Sequence, residues 1–311
     1  MAKFIVKRVF YGLLTLFLII TATFFLIAGA PGDPIAAKVE QMPDRAQEVI
    51  RKKYGLDKPV VERYFIYMKN LITTGDFGES IIYTGKSAND VIKANAPISA
   101  KIGIIVLVLQ VGIGIPLGLG TALGRGKMYD HMIRVGNVLC ICTPSFVFAA
   151  LLQYFLAFKL KLAPVFGWGQ PKHYILPVLA YTIGGIAVYN KYMRGSTLSV
   201  INEDYIVTAK AKGCKKGRIV RKHILRNSMI PIVTMIGPAV AGIFGSSFVI
   251  ERIFAIPGLG SYYVKAVSDN DYTMVLGITI FYAMLYVASL IIVDILYGIV
   301  DPRIKVAGTE K

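Results

Sequence analysis

The sequence is poor in charged residues, which make up only 17% of its 311 positions. A soluble domain of ordinary composition carries about 25%. Hydrophobic residues instead account for 55% of the chain, and the mean hydropathy is +0.59. The shortage of charge argues against a large soluble core and predicts a polytopic membrane protein.

Cysteine and histidine are also scarce, with three residues of each. Cys140 and Cys142 lie inside an apolar run, two residues apart, so on a helix their side chains point in different directions. The histidines lack the spacing of zinc ligands and lie in three separate loops, at His131, His173 and His223. We therefore expect neither a disulfide nor a metal site.

Motifs of catalysis and nucleotide binding are missing as well. The stretch "TGKS" at residues 84–87 resembles the end of a phosphate-binding loop, but Ser80 stands where that loop needs its first glycine. The chain contains no G-x-S-x-G motif and no paired carboxylates within its apolar runs. The sequence thus predicts a protein without enzymatic activity, whose energy must come from a partner.

Long apolar runs are what the chain does have. A membrane-spanning helix needs about 20 such residues, and six runs reach that length, at 9–28, 98–123, 133–158, 174–192, 229–250 and 274–300. The first is too long for the core of a signal peptide, and Pro31 disfavours cleavage after it. The predicted fold is an all-α polytopic membrane protein with six transmembrane helices.

Positive charge is distributed unevenly around these runs. With a cytoplasmic N-terminus, most of the net charge of +17 falls on the cytoplasmic segments, as the positive-inside rule requires. Six spans place both termini in the cytoplasm. Between the first two spans we expect a small external subdomain with two helices, the first beginning at Asp44 and ending at Gly55, the second opened by Pro59 and ending near Gly75.

The predicted domains are residues 1–30 (N-terminus and first helix), 31–96 (external subdomain), 97–300 (five-helix core, with a cytoplasmic loop at 194–228) and 301–311 (cytoplasmic tail). In the second span, Gly114 and Gly118 predict close approach of another helix, and Pro116 could bend or break the helix. Asp294 is the one acid within a span. A structural ion pair is favoured there over a proton relay.

The most unusual segment is a basic insert at residues 203–227, between the fourth and fifth spans. Its pattern predicts two helices interrupted at Gly213, the outline of a DNA-binding helix-turn-helix. Because both ends continue into membrane spans, the unit cannot enter a DNA groove, and no nucleic acid is expected. Anionic lipid accounts for some of the lysines and arginines. The small residues Ala209, Ala211 and Gly213 indicate close approach of another protein.

The stretch "DYIVTAKAKG", followed by "RKHILRNSMIPIVT", resembles the cytoplasmic EAA loop of binding-protein-dependent ABC transporter permeases. The three motif positions fall at Val207, Thr208 and Ala209, with the motif glycine at Gly213. Only Ala209 and Gly213 match the general consensus, and Pro231 comes later than the usual proline. These departures are typical of the dipeptide/oligopeptide branch. "APGDP", "YGLDKPVVERY", "GDFGES", "IERIFAIPGLG" and "DILYGIVDPRI" resemble that branch in the same order.

The resemblance implies the type I ABC importer permease fold in a bacterial cytoplasmic membrane. Its partners would be a second homologous permease, two ABC ATPase subunits, an extracytoplasmic peptide-binding protein, membrane lipid and a peptide substrate. The chain itself would hold no cofactor, since ATP and Mg would be bound by the ATPases. The residues expected to couple to an ATPase are Glu203, Asp204, Tyr205, Thr208, Ala209, Ala211, Lys212 and Gly213.

A second group of residues is expected along the solute pathway and its outer gate: Gly237, Gly242, Ser246, Glu251, Pro257, Gly258 and Gly260. We expect residues 253–272 to form a loop rich in turn-forming residues that folds back over the outer mouth of the bundle. Relatives with the same motifs carry nickel or other small solutes, so a cargo other than di- or oligopeptides remains an alternative. From a different class, a stand-alone channel or secondary transporter is disfavoured by the lack of charge pairs in the spans.

Overall fold

The architecture comes from a computed structural model, which describes residues 2–29, 43–53, 55–245 and 248–300. Regular structure in these ranges is helical, with one isolated antiparallel bridge between Glu79 and Ser87. The α-helices are α1 (Ala2–Ala28), α2 (Asp44–Lys53), α3 (Val60–Thr74), α4 (Ala88–Leu123), α5 (Met128–Cys142), α6 (Ser145–Leu152), α7 (Ile175–Ile201), α8 (Asp204–Ala211), α9 (Lys216–Arg218), α10 (Arg226–Ser228), α11 (Ile230–Gly245), α12 (Phe248–Ile253), α13 (Leu259–Ser268) and α14 (Tyr272–Val300). A π-helix at Gln153–Lys159 continues α6, a 3₁₀ turn at Pro171–Tyr174 precedes α7, and a second π-helix at Ile219–Leu225 joins α9 to α10.

The chain divides into two compact units. The first contains the residues up to Ser99 together with those from Pro257 onward, and the second is Ala100–Ile256. Within α4 the chain leaves the first unit after Ser99 and enters the second unit at Ala100.

The first unit is organised around α1 and α14, which pack against each other. A Cβ atom on Gly12 of α1 would lie 2.7 Å from Ile291 Cδ1, so the glycine allows close packing at this contact. Farther along, Phe24 of α1 and Tyr64 of α3 join Ile280 in a buried apolar cluster. The periodicity of α3 predicts this packing, because Tyr64 lies on its apolar face.

An ion pair connects the two long helices of the first unit. Arg8 Nη1 lies 3.0 Å from Asp294 Oδ2. Both side chains are partly exposed, at 47% and 29%. The structural ion pair expected for Asp294 is therefore present, with Arg8 as its partner.

The segment after α12 differs from the expected loop. The turn-forming residues of 253–272 predict an irregular connection, but Leu259–Ser268 forms the ten-residue helix α13. Gly258 precedes this helix in an extended conformation, and the Leu259 N–H donates to Ser99 Oγ over 2.9 Å. At its far end, Asp271 is fully buried and accepts a hydrogen bond from the Ser80 hydroxyl. These contacts hold helical structure within the segment that its turn-forming residues predict as a loop.

The third apolar run also differs from its prediction. Residues 133–158 were expected to form one span, but α5 and α6 are bent by 100° at Thr143 and Pro144. Proline disfavours helical geometry in the residue before it, and Thr143 adopts φ −88° and ψ 120°. The run is therefore a broken helix.

Length and hydropathy identify three helices in the described ranges that could cross a membrane, α1, α4 and α14, or four when the bent pair counts as one span. The α11 segment Ile230–Val240 is apolar but shorter. The chain is thus an all-helical polytopic protein.

Helix α4 continues without a break through Pro116, which bends or interrupts many helices. It approaches α7 closely at the two predicted glycines. A Cβ atom on Gly118 would lie 2.7 Å from the Asn190 carbonyl oxygen, and one on Gly114 would lie 2.6 Å from Tyr189 Cβ. The predicted close packing of helices at Gly114 and Gly118 is confirmed.

Candidate functional sites: the basic insert and an intramembrane cavity

The basic insert forms two helical segments within the second unit. Helix α7 ends at Ile201, Glu203 precedes the first turn of α8, and α8 ends at Ala211. Helical structure resumes at Lys216 and continues through α9, the π-helix and α10. Met229 alone then separates α10 from α11, so the second segment runs almost directly into the fifth apolar run.

Gly213 ends α8 in the conformation that most favours glycine, with φ at +70°. Its N–H donates to the Lys210 carbonyl over 2.9 Å, and the Cys214 N–H donates to the Ala209 carbonyl over 3.2 Å. These two bonds form a Schellman motif, which satisfies carbonyls at the helix end. A Cβ atom on Gly213 would meet no atom within 4 Å. The turn thus needs glycine for its backbone, and the space beside it is open.

Helix α8 has a buried and an exposed side. Ile206 and Ala209, three residues apart, pack with Ile219 and Ile224 of the second segment. Ala209 is therefore a packing residue whose side chain is 8% exposed. This differs from the expectation that Ala209 allows a partner to approach, because its position in the helical repeat turns it inward.

The exposed side of α8 contains apolar residues that no described part of the chain covers. Val207 is 57% exposed and Tyr205 is 41% exposed. Their neighbours Asp204, Thr208, Ala211 and Lys212 are also exposed, as are Glu203 and Gly213. The Tyr205 hydroxyl accepts a hydrogen bond from Asn227 Nδ2 over 3.1 Å, which ties α8 to the second segment. Seven of the eight predicted coupling residues thus lie on the surface.

A buried ion pair lies where α5 begins and α7 approaches its end. Arg194 donates two hydrogen bonds to the Asp130 carboxylate, over 2.8 and 2.9 Å, and Asp130 is 1% exposed. These two charge-assisted hydrogen bonds hold the beginning of α5 against α7. Sequence reasoning missed the ion pair, because its residues are 64 positions apart.

A cavity of about 450 Å³ opens at the bend between α5 and α6. Polar side chains enter it from three helices: Gln110 from α4, Thr143 and Ser145 from the bend, and Tyr181 from α7. Non-helical backbone at membrane depth is tolerated where it is buried in protein or lines a water-filled cavity. The bend and the polar groups are therefore consistent with a passage for a hydrophilic solute.

Hydrogen bonds and a close contact fix the walls of this cavity. Gln110 Nε2 donates to the Tyr181 carbonyl over 3.0 Å, and the Tyr181 hydroxyl donates to the Gly242 carbonyl over 3.4 Å. A Cβ atom on Gly185 would lie 2.1 Å from Gln110 Cδ, so that glycine makes room for the amide. Thr143 and Pro144 interrupt the apolar run 133–158 and could have predicted this site, but their significance was not recognised.

The described pathway and gate residues are divided between the two units. Gly242 lines the cavity, Gly237 is buried in α11, and Glu251 is fully buried in α12. Pro257, Gly258 and Gly260 belong to the first unit, where Gly258 and Gly260 are buried. Ser246 lies outside the described residues.

Comparison with known proteins shows the family. The family described as "Binding-protein-dependent transport system inner membrane component" matches residues 114–306, and its N-terminal component matches residues 1–87. The chain belongs to this family. It is 38% identical to the dipeptide transport system permease protein of Lactococcus lactis subsp. cremoris over 98% of this chain and 100% of the relative. It is 40% identical to the oligopeptide transport system permease protein of Haemophilus influenzae, with the same coverage.

A third relative is the dipeptide transport system permease protein of Bacillus subtilis, at 39% identity over 98% of each chain. The resemblance inferred from the EAA-like loop and the accompanying motifs is thereby confirmed. The chain is a membrane permease subunit of a transport system and not an enzyme. Permease subunits of this family carry no cofactor of their own.

Proposed function

We propose that this chain is a permease subunit of an ATP-driven importer that moves di- and oligopeptides across a bacterial cytoplasmic membrane. Its relatives are named for dipeptide and oligopeptide transport. In the proposed topology, six spans place both termini and the loop 194–228 in the cytoplasm. The external subdomain 31–96 lies on the opposite side, and 97–300 forms the permease core.

The partners follow from what the chain lacks. With no phosphate-binding loop, it depends on two ABC ATPase subunits that bind ATP and Mg. A second homologous permease completes the membrane part, and an extracytoplasmic binding protein delivers the peptide to the external subdomain and residues 253–272.

The exposed side of α8 is the observation that carries the coupling role. Val207 places apolar surface on the exposed face of α8 that it shares with Asp204, Thr208 and Ala211, in an otherwise strongly basic, hydrated segment. A partner protein gains by burying that surface, at about 25 cal/mol per Å². The Gly213 turn beside them leaves room for a neighbouring backbone. We therefore assign this side of α8 as the surface that docks into the ATPase.

The second segment of the insert connects the ATPase-docking surface to the cavity, so that movement of the ATPases is transmitted along it. It leads through Met229 into α11, which begins at Ile230 and reaches the cavity at Pro238. At 1.5 Å per residue, this path is about 12 Å long. Closure of the ATPases would displace the insert, and α11 would carry the displacement to the cavity wall. Pro238 lines the same cavity and lacks a backbone N–H, which gives α11 a place to bend.

The cavity supplies groups suited to a peptide backbone. The hydroxyls of Thr143, Ser145 and Tyr181 can donate and accept hydrogen bonds, as can the Gln110 amide. None of these four groups carries a charge, so they can pair with successive peptide amides without selecting one side chain.

Uptake by the reconstituted complex tests the proposal. The complex, purified from its native membranes with its binding protein, is placed in liposomes with ATP inside, and uptake of a labelled tripeptide is measured. We expect ATP-dependent uptake that unlabelled peptides inhibit and nickel does not. Uptake without ATP would indicate a channel or secondary transporter. Inhibition by nickel and not by peptides would instead support a permease for nickel or another small solute.

The Tyr181→Phe variant tests whether the cavity lies on the peptide pathway. It removes the hydrogen bond to Gly242 while keeping the ring. We expect the KM for peptide to rise several-fold, because a neutral hydrogen bond contributes about 1 kcal/mol, with unchanged assembly of the complex. An unaltered KM would remove Tyr181 from the pathway.

A further inference from the structure

A second cavity, of about 580 Å³, lies beside the basic insert within the second unit. Its walls come from the end of α4, the end of α7, α8 and the beginning of the second segment. One part of the lining is apolar and includes Leu123, Ile201 and Val220. Another part is cationic and consists of Arg125, Lys210 and Lys216. The coupling role assigned to the insert uses none of these six residues.

The three cations are not neutralised by the surrounding protein. No acidic residue lines the cavity. None of the three side chains forms an ion pair with any residue in the described ranges. Asp130, in the first turn of α5, is already paired with Arg194. A negatively charged ligand would therefore meet three uncompensated positive charges.

The apolar part lies where a membrane helix ends. Leu123 is the last residue of α4 and is 42% exposed, and Arg125 follows it by two positions. Ile201 and Val220 flank the apolar cluster of the insert. A ligand that fills this cavity needs a hydrocarbon portion at the level of Leu123 and an anionic portion at the level of Arg125.

We propose that this cavity binds an anionic phospholipid from the cytoplasmic leaflet, with its phosphate held by Arg125, Lys210 and Lys216 and an acyl chain lying on the apolar wall. Basic pockets at the cytoplasmic ends of membrane helices are suited to such headgroups. The bound lipid contacts α4, α7, α8 and α9, and thereby fixes the position of the insert relative to the membrane helices that support it. The site does not depend on what the importer carries.

Native mass spectrometry of the complete complex tests the site. The complex is released from detergent in the presence of phosphatidylglycerol or of phosphatidylcholine, and retained lipid is measured for the wild type and for Lys210→Gln/Lys216→Gln. The matched control is Lys215→Gln/Lys222→Gln, which removes the same charge from exposed lysines of the same insert that do not line the cavity.

We expect the wild type to retain phosphatidylglycerol in preference to phosphatidylcholine. Each lysine near an anionic lipid contributes about fivefold in affinity, so the cavity variant should bind roughly 25-fold more weakly. The control should stay within about fivefold of the wild type. A cavity variant that binds like the wild type, or a control that loses as much, would overturn the proposal.

One measurement on the wild type and one on a chain altered only at position 216 keep the proposal testable if the double variant fails to assemble. Glycerol 3-phosphate, which has the headgroup phosphate without acyl chains, should not displace the lipid at equal concentration. Displacement would make the site one for a soluble phosphate compound. A photoreactive amino acid at Lys216 should crosslink to lipid, and crosslinking to an ATPase subunit instead would show that a protein covers the cavity.

Discussion

Gly213 offers a sharp test of the coupling surface, because its backbone conformation and the open space around it are both known. With φ at +70°, a valine would be in a region that β-branched residues rarely adopt. The left-handed conformation costs an ordinary L-residue about 1–2 kcal/mol. A Cβ atom there meets no atom within 4 Å, so steric overlap adds nothing in the isolated chain. Gly213→Val should therefore distort the end of α8 without unfolding the protein.

Gly75 provides a matched control. It follows α3 with φ at +64°, and a Cβ atom on it also meets no atom within 4 Å. Gly75→Val should therefore cost a similar free energy of unfolding, but far from the basic insert in sequence and in the other unit. Thermal unfolding of the purified complex should show comparable decreases of a few degrees for the two variants.

Transport should separate the two variants. We expect Gly213→Val to abolish ATP-dependent peptide uptake in proteoliposomes, since the turn beside Val207 would no longer fit the ATPase, while Gly75→Val keeps most of it. Unchanged uptake by Gly213→Val would refute the docking assignment. Equal loss of uptake in both variants would show that general destabilisation, and not coupling, is responsible.

Three other substitutions follow from the described contacts. Asp130→Asn should destabilise the protein by about 3 kcal/mol, because it leaves Arg194, whose side chain is only 17% exposed, without its counter-charge. Thermal unfolding would measure this, and a change within about 0.5 kcal/mol would contradict it. Gly118→Leu should prevent close packing of α4 on α7 and lower the yield of folded chain, whereas normal yield and Tm would show that the helices can separate. Asp294→Asn should lower the free energy of unfolding by less than about 1 kcal/mol, because the ion pair of Asp294 with Arg8 is partly exposed. Peptide uptake by this variant should keep its pH dependence, and loss of that dependence would favour a proton relay.

The features that sequence predicted well are local. The helix break at Gly213, the two segments of the basic insert and the close approach at Gly118 each follow from residue type and spacing over a few positions. The structure adds the cause of the break, a left-handed glycine in a Schellman motif. Family membership was readable for a different reason, because several motifs occurred in a fixed order along the whole chain.

The features that were missed depend on contacts between distant residues. The Asp130–Arg194 pair joins two helices whose relative placement no local pattern specifies. Helix α13 forms within a segment that contains several turn-forming residues, and its first residue, Leu259, is held by a hydrogen bond to the distant Ser99. The burial of Ala209 was not foreseen, because membership in a motif does not say which side of a helix faces inward. The bend at Pro144 was the exception, since its cause is local and could have been recognised.

Site-specific photocrosslinking is the most direct test of the central claim that the exposed side of α8 docks into an ATPase. A photoreactive amino acid is placed at Val207, which is 57% exposed, and as a control at Ile72, which is 74% exposed in α3. After illumination of native membranes, the account predicts a crosslink from position 207 to an ATPase subunit and none from position 72, which lies outside the cell in the proposed topology. A transport-active complex without the crosslink at 207, or with an ATPase crosslink at 72, would contradict the account.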